Sequence, residues 1–186
     1  MRRCWAVILL LPLAAMAAEV RVCFNYGCVS EQAVRIDEAL LAGIGASLAE
    51  AADAKGERMR TAAAIGRLYR EAGRQSPISA DRAGNLRDDG VFGKMDCIDH
   101  SISTTRLLAL LESRGMLHHH RVLHRVRRTR LLLFQHYTAV LEELPDAADA
   151  GAARRFAIDS WFVEQGEPPV VLPLEAWLDG EGPDVH

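Results

Sequence analysis

The chain has 186 residues, 49% of them hydrophobic, 25% charged and 6% aromatic. A chain of this length buries a sizeable core without relying on metals or disulfides, and its composition excludes collagen-like, mucin-like and wholly disordered classes. With 22 Lys+Arg against 25 Asp+Glu, a net charge of −3, a dedicated nucleic-acid binder is excluded, while a local basic patch is not.

Residues 1–17 read as a secretory signal peptide. Arg2 and Arg3 precede a short apolar run from Trp5 to Leu13, and Ala15-Met16-Ala17 makes a small-x-small cleavage pattern. That run is too short to span a bilayer. The expectation is a single exported domain over 18–186, periplasmic or secreted and not integral to the membrane. Such compartments are oxidising. Loss of the leader removes Cys4 and leaves Cys23, Cys28 and Cys97. Cys23 and Cys28 flank Asn25-Tyr26-Gly27, a turn-forming group, and are expected to close a local disulfide. Cys97 is then the odd thiol.

Residues 21–25 predict a short strand, and Ser30-Glu31-Gln32 a helix start. Ile36, Leu40, Ile44 and Leu48 continue that helix as an apolar stripe. A second helix follows over about 57–72, closed by Gly73, so 18–75 is expected to be a helical N-terminal part. The remainder, 76–186, opens on a long polar connection over 75–93, a length that marks functional or mobile loops. A helix over 96–113 ends at Gly115, a good residue just past a C-terminus. Strand patterns follow over 120–130, 131–141 and 156–163, with a tail over 170–180; the apolar runs 131–134 and 170–174 read as buried strands. Helices first and antiparallel strands after make the class α+β.

Three residues of this second part fit one chemistry. Cys97 opens a helix, where the macrodipole and free N–H groups favour a thiolate and an oxyanion. His136 lies in a strand and suits a general base. Asp159, in the next strand between Ile158 and Trp161, is a carboxylate in apolar company that needs a partner, and His136 is the obvious one.

The order Cys, His, Asp on helix start, strand and adjacent strand resembles the core of the transglutaminase-like cysteine proteins, a variant of the papain-like arrangement. Asp96-Cys97-Ile98-Asp99 resembles the DCxD of bacterial members. His136-Tyr137-Thr138-Ala139-Val140 is similar to the HAW/HAxV strand motif, with Tyr137-Thr138 placed before the alanine, and Ile158-Asp159-Ser160 is similar to the aspartate strand. The matching stretch runs from about residue 93 to 162. The resemblance implies a transglutaminase-like core, its antiparallel sheet packed on the cysteine-bearing helix. It also implies acyl transfer through a thioester on a peptide or protein amide, with Cys97, His136 and Asp159 as a triad and no cofactor. Asp96 and Asp99 then shape the entrance or cap the helix, while Gln75 and Asn85 are the weak candidates for a further oxyanion donor.

Two other readings compete. One is a non-catalytic periplasmic binding or assembly domain that keeps the fold while Cys97 is simply packed. The other is a zinc site of Cys97, His100, His136 and Asp159, which has only one closely spaced ligand pair. His118-His119-His120 resembles a metal tract, but consecutive strand side chains alternate faces. The basic stretch 114–130 fits either a charged edge strand or the docking face for an acidic partner. Asp81, Asp88, Asp89, Asp96 and Asp99 form an acidic group without calcium-loop spacing. Export and the lack of interleaved aromatics exclude nucleic acid as the partner.

Overall fold

The computed structural model describes residues 17–84, 90–130, 133–145 and 154–183. Of the expected leader it describes Ala17 alone. Strands β1 (Ala18–Phe24) and β2 (Ser30–Ile36) form an antiparallel hairpin, in register from Ala18↔Ile36 to Phe24↔Ser30. The stretch from Ser30, expected to begin a helix, is therefore a strand. Val34 and Ile36 are buried while Ala33 and Arg35 are exposed, an alternation of period two. Ile36 stands four residues before Leu40 and mimics a helical repeat. Asp37 separates the two as the N-cap of helix α1 (Glu38–Ala49), its Oδ1 accepting the Ala39 N–H at 2.8 Å.

Helix α2 (Ala54–Gln75) starts at the Asp53 cap and buries Ala64, Ile65, Leu68, Tyr69 and Ala72 along one side. Gly66 sits where the 166–168 backbone crosses this helix; a Cβ there would lie 2.9 Å from the Gly166 carbonyl oxygen. A short 3-10 turn (Pro77–Ala80) follows. The connection then returns through Gly93, whose φ of 90° and contact with the Pro77 carbonyl admit no side chain. It leads into helix α3 (Cys97–Ser113), which ends at Gly115 with φ 65°.

The second half is a four-stranded antiparallel sheet in the order β3 (His120–Arg130), β4 (Phe134–Glu143), β5 (Arg155–Asp159), β6 (Val170–Pro173), followed by the short helix α4 (Leu174–Leu178). The chain is thus α+β with two antiparallel sheets. Helix α3 lies between them: Leu107, Leu108 and Leu111 share one apolar cluster with Val22 and Phe24 of the hairpin and Ala139, Leu141 and Ile158 of the sheet. Full burial of each such side chain stabilises by about 1.5–3 kcal/mol.

The strand expected over 156–163 stops at Asp159. There the Asp159 Oδ1 accepts the Trp161 N–H at 3.2 Å and turns the chain out of the sheet. The apolar run 131–134 does not form a buried strand in its described part: Leu133 is 80% and Phe134 68% exposed at the β3–β4 turn. The basic stretch divides between the two faces of edge strand β3 rather than making one electropositive face. Arg128 is buried on the His136 side, while the Arg125 guanidinium lies 4.8 Å from the centre of the Tyr137 ring.

Candidate active site

The hydrogen-bonded pairs of β4 and β5 run from Glu142↔Arg155 to Ala139↔Ile158. Beyond them the β4 edge at residues 135–137 is open, and the start of α3 fills it. Cys97, the first residue of that helix, has its Sγ 4.0 Å from the Gln135 carbonyl oxygen and receives the Tyr137 N–H.

Asp159 closes β5 and is buried. Its Oδ2 accepts His136 Nε2–H at 2.7 Å and Trp177 Nε1–H at 2.9 Å. This bond fixes the histidine tautomer: Nε2 carries the proton and Nδ1 is left as the acceptor. The imidazole is walled by Trp161, Phe162 and Trp177, with ring centres 4.9, 5.3 and 5.6 Å away. His136 and Cys97 line the same cavity of about 430 Å³, whose other walls include Tyr26, Arg130, Phe134 and Phe162. No hydrogen bond among the described residues joins the Cys97 sulfur to the His136 ring.

The helix start favours a thiolate less than the sequence suggests. Burial pushes the Cys97 thiol up to about 11, the charges of Asp96 and Asp159 add to the rise, and the Tyr137 and Cys97 N–H groups oppose it. Local desolvation and two carboxylates outweigh the helix terminus.

Asp96 and Asp99 form a capping box, the Asp96 Oδ1 accepting the Asp99 N–H at 2.9 Å and the Asp99 Oδ2 accepting the Asp96 N–H at 3.1 Å. Above them lies the hairpin turn, tied by the expected Cys23–Cys28 disulfide. Asn25, Tyr26, Gly27 and Cys28 all have φ between 58° and 67°. A left-handed conformation costs roughly 1–2 kcal/mol per L-residue. Here it aims successive N–H groups at the capping box. Tyr26 N–H reaches Asp99 Oδ2 at 2.8 Å, Gly27 N–H reaches Asp96 Oδ2 at 3.0 Å and Cys28 N–H reaches Asp99 Oδ1 at 2.6 Å. Burial, followed by the Asp96 charge, pushes the Asp99 carboxyl up to about 7 despite the donors around it. The turn thereby brings Tyr26 to the cavity beside Cys97.

The remaining candidates fall elsewhere. Gln75 is spent on the hairpin: its Oε1 accepts the Arg35 N–H at 2.9 Å and its Nε2 donates to the Arg35 carbonyl at 2.7 Å. It lines no part of the Cys97 cavity, so it is not an oxyanion donor there. Asn85, Asp88 and Asp89 lie outside the described residues. His100 faces away from Cys97 into the core, with Nε2 2.9 Å from Asp81 Oδ2 and Nδ1 2.9 Å from Ser160 Oγ. The proposed zinc set of Cys97, His100, His136 and Asp159 therefore does not converge. Among the described residues the convergent group is Cys23, Cys28 and Glu31, whose two sulfurs are bonded to each other.

The Asp81–His100–Ser160 chain continues through Thr104 Oγ1 at 2.9 Å from Ser160 Oγ and Tyr69 OH at 2.9 Å from Thr104. All five side chains are buried, so this Asp-His-Ser arrangement is a sealed internal network without access for a substrate. The histidine tract is likewise structural. Glu57 receives the N–H groups of His118 and His119 and pairs with His120 Nδ1 at 2.7 Å. Burial works against its charge, but these three partners hold the Glu57 carboxyl below its ordinary value.

Sequence reasoning overlooked Tyr26, Trp177 and Arg128 as parts of the site. All three depend on contacts between segments distant in sequence, which no local pattern announces. No protein-family model, curated protein or solved structure matches the chain.

Proposed function

We propose that the domain is an exported thiol acyl-transfer enzyme of transglutaminase-like type, acting on an amide bond of a peptide or protein. The observation that carries this reading is the His136 Nε2–Asp159 bond at 2.7 Å, held by Trp177 and Trp161, in a cavity that His136 shares with Cys97. Asp159 orients the imidazole with Nδ1 as the base. In the first step Cys97 Sγ bonds to the amide carbonyl carbon and the thiol proton passes to His136 Nδ1. The C–N bond then breaks as that proton is delivered to the leaving amine, giving a thioester. Water or an acceptor amine resolves the thioester, and hydrolysis is the favoured direction. The Cys97 N–H at the start of α3 and the Tyr137 N–H, both at the sulfur, are the backbone donors available to the oxyanion. With the thiol raised to about 11, proton removal accompanies attack rather than preceding it. The disulfide is consistent with an oxidising compartment, and no described helix is long and apolar enough to cross a membrane.

The same raised thiol favours a second reading, a binding domain in which Cys97 is only packed. The two readings separate on amide-hydrolysis assays with a peptide library. For an enzyme, Cys97→Ala abolishes turnover and His136→Ala lowers it by about 10²–10⁴-fold. No turnover in the wild type over the whole library leaves the binding reading, and turnover unaffected by Cys97→Ala removes Cys97 from the reaction.

A further inference from the structure

We infer that Arg130 is an anion subsite of the Cys97 cavity, selecting a substrate that bears a carboxylate within a residue or two of the amide attacked. The inference rests on the acyl-transfer reading for its biological meaning, although the subsite itself is argued from charge and geometry.

The β3–β4 register pairs Arg128 with His136 and Arg130 with Phe134. Residues directly opposite in an antiparallel pair share a face, so both arginines project on the side of the imidazole. Both line the cavity with Cys97 and His136. Their circumstances differ. Arg128 is buried and committed: its Nη1 donates to the Trp177 carbonyl at 2.5 Å and the Glu181 carbonyl at 2.8 Å, and its guanidinium lies 4.5 Å from the centre of a Trp177 ring. Buried Asp159 attracts its charge and Arg130 repels it. Arg130 is exposed and rests over the Gly180 backbone, where a Cβ would come within 3.0 Å of its Cζ; its carbonyl accepts the Leu133 N–H at 3.2 Å, but its guanidinium has no ion pair or hydrogen bond among the described residues.

Asp96 also lines the cavity but makes no ion pair with Arg130. Asp96 is spent on the Gly27 and Asp99 N–H groups. The strand side of the cavity therefore carries an unspent guanidinium, repelled from below by Arg128 and flanked by the apolar Phe134 and Phe162. A planar fork of donors suits a carboxylate in bidentate geometry, and the aromatic walls suit the carbon chain that brings it there. That carboxylate is an Asp or Glu side chain or a peptide C-terminus.

The test uses Cys97 alkylation by matched probes, which needs no turnover. Iodoacetyl-glutamate α-amide is compared with iodoacetyl-glutamine α-amide for the side-chain source, and iodoacetyl-glycine with its amide for the terminal source. Rates are read by mass spectrometry at low ionic strength and at pH 9.5, where the thiolate is more populated and the carboxylates and guanidinium stay charged. The expected result is a preference of about tenfold for the anionic member of one pair, the worth of one charge-assisted contact. Arg130→Ala should bring that ratio to about one, whatever its effect on the absolute rates, and Arg130→Lys should restore part of it. Equal rates for both pairs in the wild type, or a preference that survives Arg130→Ala, overturns the subsite. If no probe reaches the thiol, quenching of Trp161 fluorescence by N-acetyl-glutamate decides: saturable in the wild type and lost in Arg130→Ala supports it, and no saturation overturns it. Loss of peptide turnover in the library with a retained probe preference would sink the acyl-transfer reading and leave the subsite standing.

Discussion

Asp159 and Thr61 show two ways of burying an oxygen. Asp159 receives a ring N–H from His136, an indole N–H from Trp177 and a backbone N–H from Trp161. Thr61, on α2, is fully buried, and its hydroxyl has no hydrogen-bond partner among the described residues. An unmade hydrogen bond in the core costs about 1–3 kcal/mol of desolvation, and an apolar group of the same shape avoids it. Thr61→Val should therefore stabilise the fold by about 1 kcal/mol, read as a higher urea midpoint with an unchanged slope. At this scale the sequence exposed part of the site. Cys97, His136 and Asp159 each stood out by residue type and setting. Trp177 did not, because its contact with Asp159 comes from a tail that folds back over the sheet. The thiol also misled, because a helix start is visible in sequence whereas burial and the approach of Asp159 are not.

Among the elements, α3 and the strands expected over 120–130 and 131–141 were legible, except that the second starts only at Phe134 and runs on to Glu143. The hairpin was only half legible. A strand that passes directly into a helix lends its last apolar residue to the helical repeat, and Ile36 did so. What the pattern could not reveal is why the hairpin matters: its turn holds the two carboxylates at the start of α3. Replacing both cysteines by serine should cost about 2 kcal/mol from the released chain entropy of a short loop. It should also raise amide hydrogen exchange at Tyr26, Gly27 and position 28 well above that of the neighbouring β1 strand. Protection retained at those three amides would mean that the capping box alone shapes the turn.

For the molecule as a whole, two buried acids set opposing pH trends. Asp99 sits near 7 when folded, above its ordinary 3.8, so the native state holds a proton that the unfolded chain has lost over that interval. Its contribution is complete on the acid side and is lost as pH rises toward 7. Glu57 is held below its ordinary value, so its contribution is present above that value and lost as pH falls through the lowered one. Asp99 begins to lose its contribution above 3.8 and Glu57 begins to lose its own below 4.5, so stability should peak at about pH 4 and the urea midpoint should be lower at pH 8. Asp99→Asn should flatten that decline; an equally steep decline in the variant would assign it to another group. The α+β class follows from residue order, but the hairpin within the part expected to be helical and the insertion of α3 between two sheets depend on contacts remote in sequence.

One peptide unit joins the two polar systems of the molecule. Asp159 holds His136 of the cavity and Ser160 faces the sealed network of Asp81, His100, Thr104 and Tyr69. Neither can shift without dragging the other, so substitutions on the two sides should not combine independently. For evolution this makes the interior a partner of the cleft. Substitution of His100 or Asp81 should therefore change which replacements at half-buried His136 are tolerated.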